Sequence, residues 1–123
     1  MVERLRHRGP DDSGVWSGRE CSLGHARLSI VDLSTGSQPM HSGDTVVTFN
    51  GEIFGYQTIR KELSEQYRFK TASDTEVILA LYKKYGDEFV KQLPGQFAFA
   101  LWDEKQKKLL CARDRFGEKP LFY

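Results

Sequence analysis

The chain has 123 residues, and its 18 Lys and Arg nearly cancel its 17 Asp and Glu, for a formal net charge of +1. That balance gives no electrostatic reason to expect a nucleic-acid or membrane partner. Hydrophobic residues at 39% and aromatics at 12% suit one domain with a real core, spanning residues 1–123.

Val2 to Arg8 reads as the tail of a helix. Arg8 to Gly14 is dense in Gly, Pro, Asp and Ser and reads as a loop. Strands are predicted around Val15–Trp16 and from Cys21 to Ile30, followed by a polar loop from Val31 to Asp44. Thr45 to Phe49 is a β-branched strand that runs into Asn50-Gly51. Ile59 and Leu63 share one face of a helix from Tyr56 to Gln66. A second helix spans Asp74 to Tyr85, with Ser73 and Glu76 as a capping box, Gly86 as its stop, and Val77, Ile78, Leu81 and Tyr82 as its buried stripe. Asp87 to Leu93 suggests a short third helix. Gln96 to Asp103 and Lys107 to Arg113 are strands joined by a charged turn, and Pro120 to Tyr123 a last strand. Phe97 to Trp102 is apolar on both faces, the pattern of a strand covered on both sides. Helices in mid-chain with strands at both ends imply layered α+β and not a βαβ repeat.

The longest apolar run, Phe97 to Trp102, is far too short to cross a bilayer. The charged opening residues lack the apolar segment of a signal peptide. Cys21 and Cys111 form no CxxC pair, and a reduced, cytoplasmic protein is expected.

Four segments carry chemistry: Arg6 to Gly14, Leu23 to Ile30, Phe49 to Ile53 and Ser73 to Glu76. Hydrolysis of a glutamine amide needs an Arg fork for the substrate carboxylate. It needs carboxylates for the ammonium and two N–H donors for the tetrahedral intermediate. Arg27, then Glu52 with Asp74, then Asn50 with the Gly51 backbone N–H supply these in turn. Each residue also has a plainer explanation. Asn50-Gly51 after a strand fits a type I′ hairpin turn. Arg27 fits a structural ion pair, and Asp74 in a first helical turn suits the helix dipole. Asp11 and Asp12 with His7 fit a solvated turn, and His25 lacks a second His at ligand spacing, so no metal site is expected. Spacing alone leaves the function open.

In order, these segments resemble class II glutamine amidotransferase domains, which have the N-terminal-nucleophile hydrolase fold. The likeness is nearest to glutamine-hydrolysing asparagine synthetases, through HRGPDDSG at His7–Gly14, RLSIVDLS at Arg27–Ser34, Gln38-Pro39-Met40 and RDRFGEKPLFY at Arg113–Tyr123. The resemblance implies a four-layer αββα sandwich, here lacking its first strand and most of its first helix. It implies that Arg27 binds the α-carboxylate of L-glutamine, that Glu52 and Asp74 hold its ammonium, and that Asn50 and Gly51 form the oxyanion hole. Where relatives read Asn-Gly-Glu-Ile-Tyr-Asn, this chain has Phe54-Gly55 in the last two places.

The family nucleophile is an N-terminal cysteine whose free amine is the base. This chain starts Met1-Val2-Glu3, so it is expected to lack the nucleophile and to be inactive alone. The nitrogens of Cys21 and Cys111 are peptide amides, and both residues are expected to serve as small buried hydrophobes. No Gly-rich phosphate loop is present, so no cofactor is expected in this chain. ATP and Mg belong to the C-terminal synthetase domain that the resemblance implies in the complete protein, where ammonia would reach an activated aspartate. Two other possibilities are an amidotransferase with a different acceptor and a non-catalytic glutamine-binding pseudoenzyme. An open sheet edge left by the absent strand is expected to pair with another chain, as a homodimer or by aggregation.

Overall fold

The computed structural model describes residues 1–28 and 36–123. A 3-10 turn at Val2–Leu5 precedes β1 (Asp12–Ser17), β2 (Ser22–Arg27), β3 (Met40–Ser42) and β4 (Thr45–Ile53). Then come α1 (Tyr56–Leu63), α2 (Thr75–Tyr85), a 3-10 segment at Gly86–Gln92, β5 (Gly95–Asp103) and β6 (Lys108–Arg113). The strands form two antiparallel sheets, β1-β2 and β3-β4-β5-β6.

Alternation along β4 sets the layers. Val47, Phe49 and Ile53 point to one side and pack with Val77, Ile78 and Leu81 of α2. Val46 points to the other side and packs with Leu23 of β2 and Trp102 of β5. The helices therefore cover one face of the larger sheet and the β1-β2 hairpin covers the other. Outside the hairpin lies the Val2–Leu5 turn, where a Cβ on Gly24 would stand 2.5 Å from the Val2 side chain. The order is helix, sheet, sheet, helical turn: the α+β layering that the sequence implies. β5 is indeed covered on both sides, with Phe97, Phe99 and Leu101 in the helix-side core and Trp102 between the sheets.

In α2 the buried surface is wider than the expected stripe. Thr75 through Tyr82 are all buried, because β4 lies beneath the helix and the Gly86–Gln92 segment folds back beside it. Phe89 of that segment is fully buried, 5.7 Å from Phe99, which is 5.9 Å from Phe97. Offset stacking of this kind adds to the area that each ring buries.

Several expectations change. Asn50-Gly51 is not a turn: the strand runs on to Ile53, with Asn50 opposite Ala98 and Gly51 opposite Phe97. The long partner strand β5 prolongs the ladder past the point where Asn-Gly alone would reverse it. β1 begins at Asp12, inside the expected loop, because pairing with Arg27 captures it. The short strand β3 pairs with β4 inside the other expected loop. Residues 29–35, which include the end of the strand expected to reach Ile30, lie outside the described residues. The Ser73–Glu76 box does not form. Glu76 instead accepts from the N–H groups of Lys70 and Thr71, at 2.8 and 2.7 Å, and from the Thr71 hydroxyl. Residues 120–123 form no strand, since the preceding turn is gathered onto Asp114 and Pro120 has no N–H to offer. Cys21 packs between the sheets, whereas Cys111 is exposed on the edge strand β6.

Candidate functional site

The outer flank of β4, beyond the end of β3, is where the structure gathers functional groups. Hydrogen-bonding direction alternates along a strand. The Phe97 N–H donates to Asp114 Oδ2 at 3.2 Å, and the Asp114 N–H donates to the Phe97 carbonyl at 2.7 Å. Phe97 thus turns its polar groups toward β6 and away from its β4 partner, Gly51. By the same alternation the N–H groups of Phe49, Gly51 and Ile53 face outward from β4. Side chains meet two of these positions. The Phe49 N–H donates to Gln38 Oε1 at 2.6 Å, and Gln38 Nε2 donates to the Phe49 carbonyl at 3.0 Å. The Ile53 N–H donates to Asp74 Oδ2 at 3.1 Å. The Gly51 N–H belongs to the position between them.

Only glycine fits there. Gly51 has φ +145°, and a Cβ would sit 2.0 Å from the Gln96 carbonyl oxygen.

Asn50 and Glu52 alternate with Gly51, so their side chains project on the face of Val46 and Thr48, toward the hairpin. On β2, Leu23, His25 and Arg27 alternate toward β4 in turn. Leu23 packs against Val46, and His25 Nδ1 lies 3.0 Å from Thr48 Oγ1. Two residues further along both strands, the same series leads to Arg27 and Asn50. The sequence-predicted residues therefore gather at one end of the sheets: Arg27 from the hairpin, Asn50, Gly51 and Glu52 from β4, and Asp74 from the start of α2.

The His7–Gly14 segment holds Arg27 by its backbone. The Asp11 N–H donates to the Arg27 carbonyl at 3.0 Å, and a Cβ on Gly9 would stand 2.5 Å from the Arg27 nitrogen. Arg27 itself is buried, opposite Asp12 in the β1-β2 register. Asp12 therefore neighbours Arg27 in the hairpin, although an Asp-Asp turn gives no sign of it.

Electrostatics follow from burial. The carboxyl of Asp74 is pushed above its ordinary range, first by burial and further by the charge of Glu52, against the lowering effect of its N–H donors. The pKa of His25 is pushed down, first by burial and then by the Arg27 cation, with Asp12 opposing. A neutral His25 suits its place beside Arg27 and the Thr48 hydroxyl.

Gln38, which bonds Phe49 and Thr75, is another residue beside these groups that sequence reasoning missed. Gln38-Pro39-Met40 marked a subgroup but carried no role, because a side chain that mimics a strand partner leaves no periodic trace. Among the described residues no group of three or more His, Cys, Asp or Glu is placed to hold a metal ion, and no helix is long and apolar enough to cross a membrane.

Comparison with known proteins shows the family. The family described as "Glutamine amidotransferase domain" matches residues 1–123. The glutamine-hydrolyzing asparagine synthetase 2 of Oryza sativa subsp. japonica is 49% identical over 124 residues, covering 99% of this chain and 21% of that protein. Amidase chry2 of Gibberella zeae is 44% identical over 127 residues, covering 99% of this chain and 19% of that protein. Among solved structures, the glutamine phosphoribosylpyrophosphate amidotransferase from B. subtilis aligns with a TM-score of 0.61 and 25% identity, over 76% of this chain and 23% of that one. The chain spans about a fifth of the length of the curated relatives it matches. With the layered α+β fold and the full-length family match together, the chain belongs to the glutamine amidotransferase domain family, of the kind found in glutamine-hydrolysing asparagine synthetases.

Proposed function

We propose that the outer flank of β4 binds L-glutamine. Arg27 takes the α-carboxylate with its planar fork. Glu52 and Asp74 take the α-ammonium. The Asn50 side-chain amide and the Gly51 N–H donate to the amide oxygen as it becomes tetrahedral, which lowers the barrier to hydrolysis. One relationship supports this reading: the carboxylate of Asp74 is bonded to the Ile53 N–H, two residues from a strand position, Gly51, that only glycine can occupy. Isothermal titration of the chain with L-glutamine, and with glutaramate as an analogue that lacks only the ammonium, tests it. Glutamine binding with glutaramate excluded is expected; equal heats from both would remove the roles of Glu52 and Asp74.

For the whole protein, the products of this site are glutamate and ammonia, and the ammonia is used by a C-terminal synthetase domain with ATP and Mg to amidate an activated aspartate in the cytoplasm. The resemblance assigns the attack to an N-terminal cysteine. Cys21, packed with Trp102 just before β2 and so at the end of that strand remote from Arg27, supplies no attacking sulfur here. A second acceptor class has its own support, the 44% identity to a fungal amidase. Assay of the whole protein with aspartate and with other carboxylates separates the two. A homodimer is part of the same proposal, and the outer edge of β6, which pairs with no strand among the described residues and exposes Leu109 and Cys111, supports it as the contact. Sedimentation over a range of concentrations tests that assembly.

A further inference from the structure

We propose that Gln38 is a positioning residue of the glutamine site, one that sets the gap between the oxyanion strand and the carboxylate of Asp74. The inference rests on the reading above of that flank as a glutamine site.

The side chain of Gln38 behaves as a missing strand residue. Its amide exchanges two hydrogen bonds with Phe49, one residue before Asn50, which continues the β3-β4 ladder past the end of β3. The same Nε2 reaches Thr75 Oγ1 at 3.4 Å, and Thr75 directly follows Asp74. One planar amide thus touches both parts that must close on the substrate, the strand with Asn50 and Gly51 and the helix start with Asp74. On the other side of that strand position, Asp74 bonds the Ile53 N–H. Gly51 is bracketed by these two side-chain clasps, so a shift at either one moves its N–H relative to the carboxylate.

The backbone of Gln38 is located independently. A Cβ on Gly14 would stand 2.1 Å from the Gln38 carbonyl oxygen, and the Ser37 hydroxyl donates to Asp12 Oδ2 at 3.5 Å. The residue is therefore wedged between β1 and β4. Glycine at 14 in the HRGPDDSG segment is what lets it sit there.

Only an amide, or a group that both accepts and donates in that geometry, satisfies Phe49 on both counts. A carboxylate accepts from the Phe49 N–H but repels the carbonyl. A protonated carboxylic acid does both. This yields a readout that simple packing does not move.

The experiment compares the unsubstituted chain with Gln38→Ala, Gln38→Met and Gln38→Glu. L-glutamine affinity is measured by calorimetry, folding by thermal melting, and the Phe49 and Gly51 amides by nitrogen-resolved NMR. Gln38→Ala and Gln38→Met are expected to weaken glutamine binding about tenfold or more. Gln38→Glu is expected to displace the two amide signals near neutral pH and to return them as the pH falls. Asp12 and Asp74, the titratable groups beside Gln38, are present in every variant, so the unsubstituted profile is the control. Should Gln38→Ala not fold, the volume-matched Met variant and the Glu profile decide. Full affinity in Gln38→Met, or amide signals in Gln38→Glu that ignore pH, overturns the proposal alone. Absence of glutamine binding by the unsubstituted chain overturns it together with the reading of the β4 flank.

Discussion

The Ile53 N–H donates to Oδ2 of Asp74 at 3.1 Å, which ties a carboxylate at the head of α2 to the strand that bears Asn50 and Glu52. Burial, with the charge of Glu52 added, raises the Asp74 pKa above its ordinary value. The sign of the consequence differs for folding and for binding. A raised folded pKa means that this group's contribution to stability is full below the unfolded pKa and is lost as pH rises through the folded one. An ammonium ligand prefers the ionised form. At pH values near and below the raised pKa, glutamine binding is therefore expected to release a proton from Asp74, and affinity to fall as pH drops through it. Asp74→Asn keeps an acceptor for Ile53, so it is expected to melt higher near neutral pH, bind glutamine more weakly and release no proton. Titration in two buffers of different ionisation heat measures the proton count.

Arg27 is buried at the end of β2, with its carbonyl held by the Asp11 N–H. Arg27→Lys keeps the charge and loses the planar fork. The loss of one charge-assisted hydrogen bond to the substrate carboxylate is worth about 1.5–3 kcal/mol of binding. Calorimetry on the two proteins checks this, and unchanged affinity would move the carboxylate away from Arg27.

Which parts of this site were legible in the sequence follows from how each residue acts. In the proposed site Arg27, Asn50, Glu52 and Asp74 would act through their own functional groups, so residue type and motif announce them. The strand through Asn50-Gly51 was not legible, because the pair carries a hairpin signal and only the nine-residue register with β5 overrides it. β3 is three residues long and exists by pairing with β4, beyond the reach of periodicity. Glu76 sits at capping-box spacing from Ser73 yet serves Lys70 and Thr71, a choice made by a loop whose path the local sequence does not state. The two faces of β5 were readable in advance, because apolar residues on both sides have one physical explanation.

Asp114 gives a prediction about acid. Its carboxylate accepts from the N–H groups of Phe97, Phe116, Glu118 and Lys119, at 3.2, 3.0, 3.0 and 3.1 Å. Burial by itself raises the pKa, but these donors together outweigh it and hold the group at about 2, below the usual 3.8. A depressed pKa stabilises the fold above the unfolded value and ceases to do so as pH falls through the folded one. Asp114→Asn is expected to lower the melting temperature at neutral pH and to flatten the loss of stability between about pH 4 and pH 2. Melts across that range decide it; parallel curves for the two proteins would deny the carboxylate this role.

Gly51 and Gly55 make a matched pair for separating two costs of adding a methyl group. Both have positive φ, +145° and +64°, but their surroundings differ. A Cβ on Gly55 meets nothing within 4 Å, whereas one on Gly51 would stand 2.0 Å from the Gln96 carbonyl oxygen and 2.7 Å from the Phe97 Cα. Gly55→Ala therefore carries the backbone cost alone, about 1–2 kcal/mol. Gly51→Ala adds a collision with the backbone of β5, which cannot be relieved by turning a side chain. It is expected to cost more than Gly55→Ala in denaturant unfolding and to part β4 from β5 near Gln96. Because the Gly51 N–H is the proposed donor to the substrate oxygen, Gly51→Ala is also expected to abolish glutamine binding while Gly55→Ala preserves it. Equal stability losses in the two variants would show that β5 yields to the methyl group, and retained binding in Gly51→Ala would remove Gly51 from the site.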